Sequence, residues 1–146
     1  MTTTIFFDMD GTIADLYGVE NWLDYLIASD TLPYKIAKPL IRLNSLARIL
    51  NKLQKNGYRI GIISWLSKNG TEDYNKAVTE TKMNWLKKHL ASVNFDEINI
   101  VEYGTPKQLF AKTKNDILFD DEAKNRNNWT GTAFDVNEIL EILKGM

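Results

Sequence analysis

A chain of 146 residues, 44% of them hydrophobic, suits one globular domain with a true core and is short for two. Lys and Arg total 18 against 19 Asp and Glu, a formal net charge of -1, so the balance favours small substrates over a polyanionic partner such as nucleic acid. The absence of cysteine excludes disulfides, thiolate metal sites and cysteine nucleophiles together, and a single histidine speaks against a zinc site.

The opening Met1-Thr2-Thr3-Thr4 carries no positive charge, and the apolar run behind it stops within a few residues, unlike a signal peptide. No apolar stretch approaches the roughly 20 residues needed to span a bilayer. A soluble, cytoplasmic protein without a membrane partner is expected. Ile5-Phe6-Phe7 then lead straight into Asp8-Met9-Asp10-Gly11-Thr12, a short apolar strand that ends on two carboxylates and a turn. Two anions this close persist only where a cation or a shared proton offsets their repulsion, and a divalent metal is the obvious candidate.

From Leu16 to about Leu43 the chain is rich in aromatics (Tyr17, Trp22, Tyr25, Tyr34). Leu23, Leu26 and Ile27 recur at helical spacing until Pro33 and Pro39 break the pattern, which reads as a short helical insertion. Leu43, Leu46, Ala47, Leu50 and Leu53 trace an amphipathic helix stopped at Asn56-Gly57. A strand follows over Tyr58 to Ile63, ending on Ser64-Trp65. A loop from Ser67 to Asp73, containing Asn69-Gly70, leads into a helix over about 72–90, with Val78, Thr81, Trp85 and His89 along one side.

A third strand is expected at Glu97 to Val101. Gly104-Thr105-Pro106-Lys107 then predicts a turn, with Thr105 as N-cap and Pro106 at the first helical position, so that Lys107 projects from a helix start. The fourth strand, Ile117-Leu118-Phe119, again ends on a carboxylate pair, Asp120-Asp121. The last strand is Thr132-Ala133-Phe134, followed by a short helix through Ile139, Leu140 and Leu143. Strands alternating with helices imply an α/β fold: a three-layer, Rossmann-like arrangement of a mainly parallel five-stranded sheet, forming one domain over residues 1–146 with a small insertion at about 16–43.

In a parallel sheet the carboxyl ends of all strands lie along one edge. Asp8, Asp10, Ser64, Asp120 and Asp121 therefore converge on one crevice, which Lys107 can reach. Carboxylates, a hydroxyl and an ammonium group suit a hard divalent cation held beside a phosphate. Lys112 and Lys114 compete with Lys107 on sequence alone, and Ser64 equally fits a residue capping the following turn.

At this point the chain resembles the haloacid dehalogenase-like superfamily of phosphohydrolases. The resemblance rests on Asp8-Met9-Asp10-Gly11-Thr12, Ser64 after an apolar strand, Lys107, and Asp120-Asp121 after Ile117-Leu118-Phe119, in that order over most of the chain. It implies that Asp8 is the nucleophile forming an aspartyl-phosphate, and that Asp10 is the general acid and base. It further implies Mg²⁺ bound by the Asp8 and Asp120 side chains and the Asp10 carbonyl, with Asp121 binding directly or through water. Ser64, Lys107 and the backbone around Met9 and Gly11 would hold the phosphoryl oxygens.

The insertion corresponds to a small cap, where Tyr17, Trp22 and Tyr25 either stack a nucleobase or pack the cap onto the core. The order of parts, with Gly131-Thr132-Ala133-Phe134-Asp135-Val136 after the last motif, is similar to the 5'(3')-deoxyribonucleotidase branch. The expected activity is hydrolysis of a small phosphomonoester, with a (deoxy)nucleoside monophosphate as first guess. A receiver-type domain also uses acids, a hydroxyl and a lysine, but there the lysine follows the acids rather than preceding the last pair. A nucleic-acid end phosphatase would use the mild cationic stretch Lys35, Lys38, Arg42, Arg48, Lys52 and Lys55, which equally makes a solvated helix face. A non-catalytic relative that keeps only the fold is the remaining alternative.

Overall fold

The computed structural model describes residues 2–146. In chain order it contains β1 (Thr4–Phe7), β2 (Ala14–Asp15), α1 (Trp22–Ile27), α2 (Leu32–Ile36), β3 (Lys38–Pro39), α3 (Leu43–Lys55), β4 (Arg59–Trp65), α4 (Glu72–His89) and β5 (Glu97–Val101). A 3₁₀ turn (Lys107–Phe110), β6 (Ile117–Phe119), α5 (Ala123–Asn128), β7 (Thr132–Phe134), a second 3₁₀ turn (Val136–Glu138) and α6 (Ile139–Lys144) complete it. Five strands form one parallel sheet in the order β5-β4-β1-β6-β7. The expected α/β architecture is therefore the observed one, with β1 at its centre.

The period of two in β1 divides the core. Ile5 and Phe7 face one side, where they meet Leu46, Leu50 and Leu53 of α3, Trp85 and Leu86 of α4, and Ile139 and Leu143 of α6. Phe6 faces the other side and packs with Ile63, Leu118 and Trp129. The chain moves outward from β1 through β4 to β5, returns to the other side of β1 at β6, and ends at β7. Right-handed crossovers place α3 and α4 on one face for the outward run and α5 on the opposite face after the return. Gly61 lies opposite Phe6 in register, and a Cβ there would come within 2.8 Å of the Phe6 ring.

The insertion differs in detail from the sequence reading. It holds two short helices, α1 and α2, between the strands of a two-residue antiparallel ribbon, β2 with β3. Pro33 sits in the first turn of α2, where its missing amide costs nothing, and Pro39 belongs to β3. Along α4 the buried face is Tyr74, Val78, Lys82, Trp85 and Leu86. Thr81 bonds back to the Ala77 carbonyl, and His89 packs on the Trp85 ring at 4.4 Å.

Two further expectations are corrected. Thr105 does not cap a helix: its hydroxyl donates to the Glu102 carbonyl, Pro106 takes the cap position, and the turn that carries Lys107 is 3₁₀. Helix α5, with the sequence Ala-Lys-Asn-Arg-Asn-Asn, has no apolar periodicity and was not expected. Among the described residues no helix is long and apolar enough to cross a membrane.

Candidate active site

The carboxyl ends of β1 and β6 are adjacent because Phe7 pairs with Phe119. The residues that follow, Asp8 and Asp120, are consequently neighbours. Lys107 reaches between them from the 3₁₀ turn, its Nζ donating to Asp8 Oδ1 at 2.9 Å and to Asp120 Oδ2 at 2.7 Å. Lys107 is 2% exposed. Burial disfavours its charge, but the two carboxylates outweigh that cost and hold its pKa above the ordinary lysine value. The turn is fixed by Trp65, whose indole N–H donates to the Thr105 carbonyl at 2.8 Å. Lys107, rather than Lys112 or Lys114, thus serves this edge; Lys112 instead bonds Glu97.

Asp8, Asp120 and Asp121 each place a carboxylate oxygen within 4.8 Å of the others. Burial raises the Asp121 carboxyl to about 8, helped by a hydrogen bond that protonated Asp121 gives to Asp8 and by the charges of Asp8 and Asp120. Asp120 is pushed up to about 6 by burial and the Asp8 charge, with Lys107 opposing. Without a cation, Asp120 and Asp121 hold their protons to higher pH than they would in water. Three convergent hard oxygen donors that cannot all ionise alone fit a hard divalent cation.

Asp10 stands apart from that trio. Its Oδ2 accepts from Lys82 Nζ at 2.8 Å, and the same ammonium donates to Ser64 Oγ at 2.8 Å and to the Trp65 carbonyl at 2.6 Å. Burial raises the Asp10 pKa, Lys82 opposes the rise, and Asp8 adds to it. Burial thus moves Asp10 in the direction that giving a proton to a leaving group requires.

The predicted phosphate ligands fare unequally. Ser64 is placed otherwise than expected: the ladder of β4 continues past Ile63 through Trp65, so Ser64 lies inside the sheet paired with Ile100. It is wholly buried, and its oxygen is occupied by Lys82. Gly11 does not offer a free amide either, since that amide donates to the Ala14 carbonyl at 2.8 Å. What Gly11 supplies is conformation and space: its φ is 79°, and a Cβ would come within 2.4 Å of Asp121 Oδ2. Met9 buries its side chain in the core, and its carbonyl accepts the amides of Thr12, Ile13 and Ala14, closing the turn.

Three polar residues at the site have roles that the sequence did not assign. Thr12, fully buried, donates to Asp8 Oδ2 at 3.0 Å and accepts from the Asp121 amide at 3.2 Å, bridging the two loops. Asn125 of α5 donates to Asp120 Oδ2 at 3.2 Å. Lys82 is the third. Its signal in the sequence is a lysine occupying an apolar stripe, since Tyr74, Val78, Lys82 and Trp85 repeat every three or four residues.

Above these groups opens a cavity of about 490 Å³, with Asp8, Asp10, Lys107, Asp120 and Asp121 at its polar end. Tyr17 and Trp22, ring centroids 4.9 Å apart, form one part of its wall, and Trp65 and Tyr103, 5.0 Å apart, another. Tyr25, expected beside Tyr17 and Trp22, does not line it.

No family model matches the sequence, and no curated protein matches it closely enough to count as a relative. Among solved structures, the fold is similar to that of D,D-heptose 1,7-bisphosphate phosphatase from Burkholderia thailandensis, with a TM-score of 0.53 and 14% sequence identity, over 86% of this chain and 70% of that one. The likeness establishes a shared α/β fold, on which this chain sets its own arrangement of four aspartates and two buried lysines at the carboxyl edge of the sheet.

Proposed function

We propose that the protein is a Mg²⁺-dependent phosphomonoesterase of the haloacid dehalogenase-like type. The observation that carries this reading is the juxtaposition of Asp8, Lys107, Asp120 and Asp121 at one end of a cavity, with a separately held Asp10 beside them. The phosphatase among the fold neighbours supports it. Asp8, Asp120 and Asp121, with the Asp10 carbonyl, would hold the Mg²⁺, which when bound polarises the phosphoryl group and offsets its charge.

The reaction then follows from the chain's own groups. An Asp8 carboxylate oxygen attacks phosphorus, the bond to the leaving oxygen breaks, and Asp10 gives that oxygen its proton. Water next attacks the aspartyl-phosphate and Asp10 takes a proton back, so that inorganic phosphate leaves and Asp8 is regenerated. Lys107 neutralises the carboxylates that a dianionic substrate must approach, and the Met9 amide just past β1 would donate to a phosphoryl oxygen.

The 16–43 segment acts as a small cap within a single domain, and the substrate is a soluble cytoplasmic metabolite. The paired aromatics of the cavity wall suit a flat or apolar leaving group, which makes a (deoxy)nucleoside monophosphate the first candidate. Phosphate release from a panel of nucleoside monophosphates, sugar phosphates and p-nitrophenyl phosphate, with Mg²⁺ and with EDTA, tests the reading. Turnover that EDTA abolishes is expected, with nucleotides ranking first; a folded protein inactive on every member would overturn it.

A further inference from the structure

We propose that Lys82 is the positioning residue for the acid of the reaction, fixing the Asp10 carboxylate so that one oxygen is held and the other faces the leaving group. The inference rests on the phosphomonoesterase reading and extends it to a residue on a different element.

Lys82 sits in the middle of α4, 1% exposed, where the neighbouring stripe positions are Tyr74, Val78 and Trp85. A lysine at an apolar position of a helix is disfavoured unless all its donors are met. Here its Nζ makes three contacts, to Asp10 Oδ2, Ser64 Oγ and the Trp65 carbonyl, at 2.6–2.8 Å, and the Tyr34 ring lies 5.0 Å away. Two of those acceptors belong to the end of β4 and lie behind the ammonium. They anchor it, so that its remaining contact meets Asp10.

The two buried lysines divide the work. Lys107 binds Asp8 and Asp120, the groups assigned to phosphorus and metal, whereas Lys82 binds only Asp10 among the site's carboxylates. Asp10 lies in the turn after β1, whose own hydrogen bonds fix the backbone but not the carboxylate. Among the described residues the only hydrogen bond to its carboxylate comes from Lys82, through Oδ2. Holding that oxygen restrains the rotation of a carboxylate that lines the cavity, where a proton must meet the departing oxygen. Ser64, buried and joined to Lys82, thereby acquires a role as anchor of the ammonium.

The test is the dependence on the leaving group. An ester whose leaving oxygen is already well stabilised needs little help from an acid, while a poorer leaving group needs it fully. Rates on p-nitrophenyl phosphate and phenyl phosphate, esters of nearly the same shape, are measured for the Mg²⁺-loaded wild type, Lys82→Met and Lys82→Gln. The ratio of the two rates within one preparation is independent of the folded fraction, and Lys82→Gln supplies the comparison should Lys82→Met fail to fold. A loss of about 10²-fold or more on phenyl phosphate, with about 10-fold or less on p-nitrophenyl phosphate, is expected. Equal losses on both esters, or no loss on either, would overturn the assignment while leaving the phosphatase reading intact. A wild type inactive on both would overturn the two together.

Discussion

With Asp121 pushed up to about 8 and Asp120 to about 6, the site retains protons near neutrality that isolated aspartates would release. Groups whose folded pKa exceeds the unfolded 3.8 stabilise the folded state fully below that value, and the stabilisation is lost as pH rises through about 6 and then about 8. The metal-free protein is therefore expected to melt at progressively lower temperature between about pH 5 and pH 8. A cation takes the place of the retained protons, so Mg²⁺ should raise the melting temperature more at pH 8 than at pH 5. Thermal melts at both pH values, with Mg²⁺ and with EDTA, measure this; a shift by Mg²⁺ that is equal or larger at pH 5 would contradict it. Asp8, Asp10, Asp120 and Asp121 were legible because each sits just after a strand, where position alone predicts convergence, whereas Lys107 was one of three lysines that the sequence left open. The roles of Thr12, Lys82 and Asn125 were not legible: they arise from side-chain contacts at separations of 4 to 109 residues, and the place of Lys82 in an apolar stripe marks its burial without naming its partners.

At the scale of elements the two faces of the sheet are built unequally. One carries α3, α4 and α6 over a large cluster, whereas the other is closed by the 3₁₀ turn, α5 and the loop after it, with Trp129 as its largest buried side chain. Trp129 packs edge-on against Phe6 at 5.6 Å, and its indole N–H donates to the Asp116 carbonyl at 2.9 Å. Truncation to alanine removes both the ring contact and the donor. Trp129→Ala is expected to destabilise the protein by about 3–5 kcal/mol in urea unfolding; a change below about 1 kcal/mol would show that this thin face is not required. The strands were legible because their apolar runs are bounded by turn residues, and α3 because its leucines keep a helical period. Helix α5 was not, for its turn and a half is polar and held by side chains such as Arg126, which donates to the Asp120 carbonyl at 3.0 Å. In the buried stripe of α4 the expected Val78 and Trp85 are found, but Lys82 is buried in place of Thr81, because a lysine does not advertise burial.

For the molecule as a whole, β1 is both the centre of the core and the support of the site. Ile5, Phe6 and Phe7 are buried to 1% exposure or less, and the next residues are the acids. A central strand buried on both faces fixes where its end lies, and β4 and β6 on either side bring Trp65, and Asp120 with Asp121, to the same edge. The 16–43 segment is seated along α4, where Tyr74 donates to the Asp30 carbonyl and Trp85 to the Ala37 carbonyl, each at 2.8 Å. One helix thus joins the segment to the site through Tyr74, Lys82 and Trp85 in turn.

The central claim is that Asp8 attacks phosphorus, and the most direct measurement is phosphate release by Asp8→Asn on the best substrate of the panel, at saturating Mg²⁺ and with folding verified by circular dichroism. The substitution preserves shape and removes the nucleophile. A fall of on the order of 10⁴-fold or more is predicted; activity within a few-fold of the wild type would contradict the account.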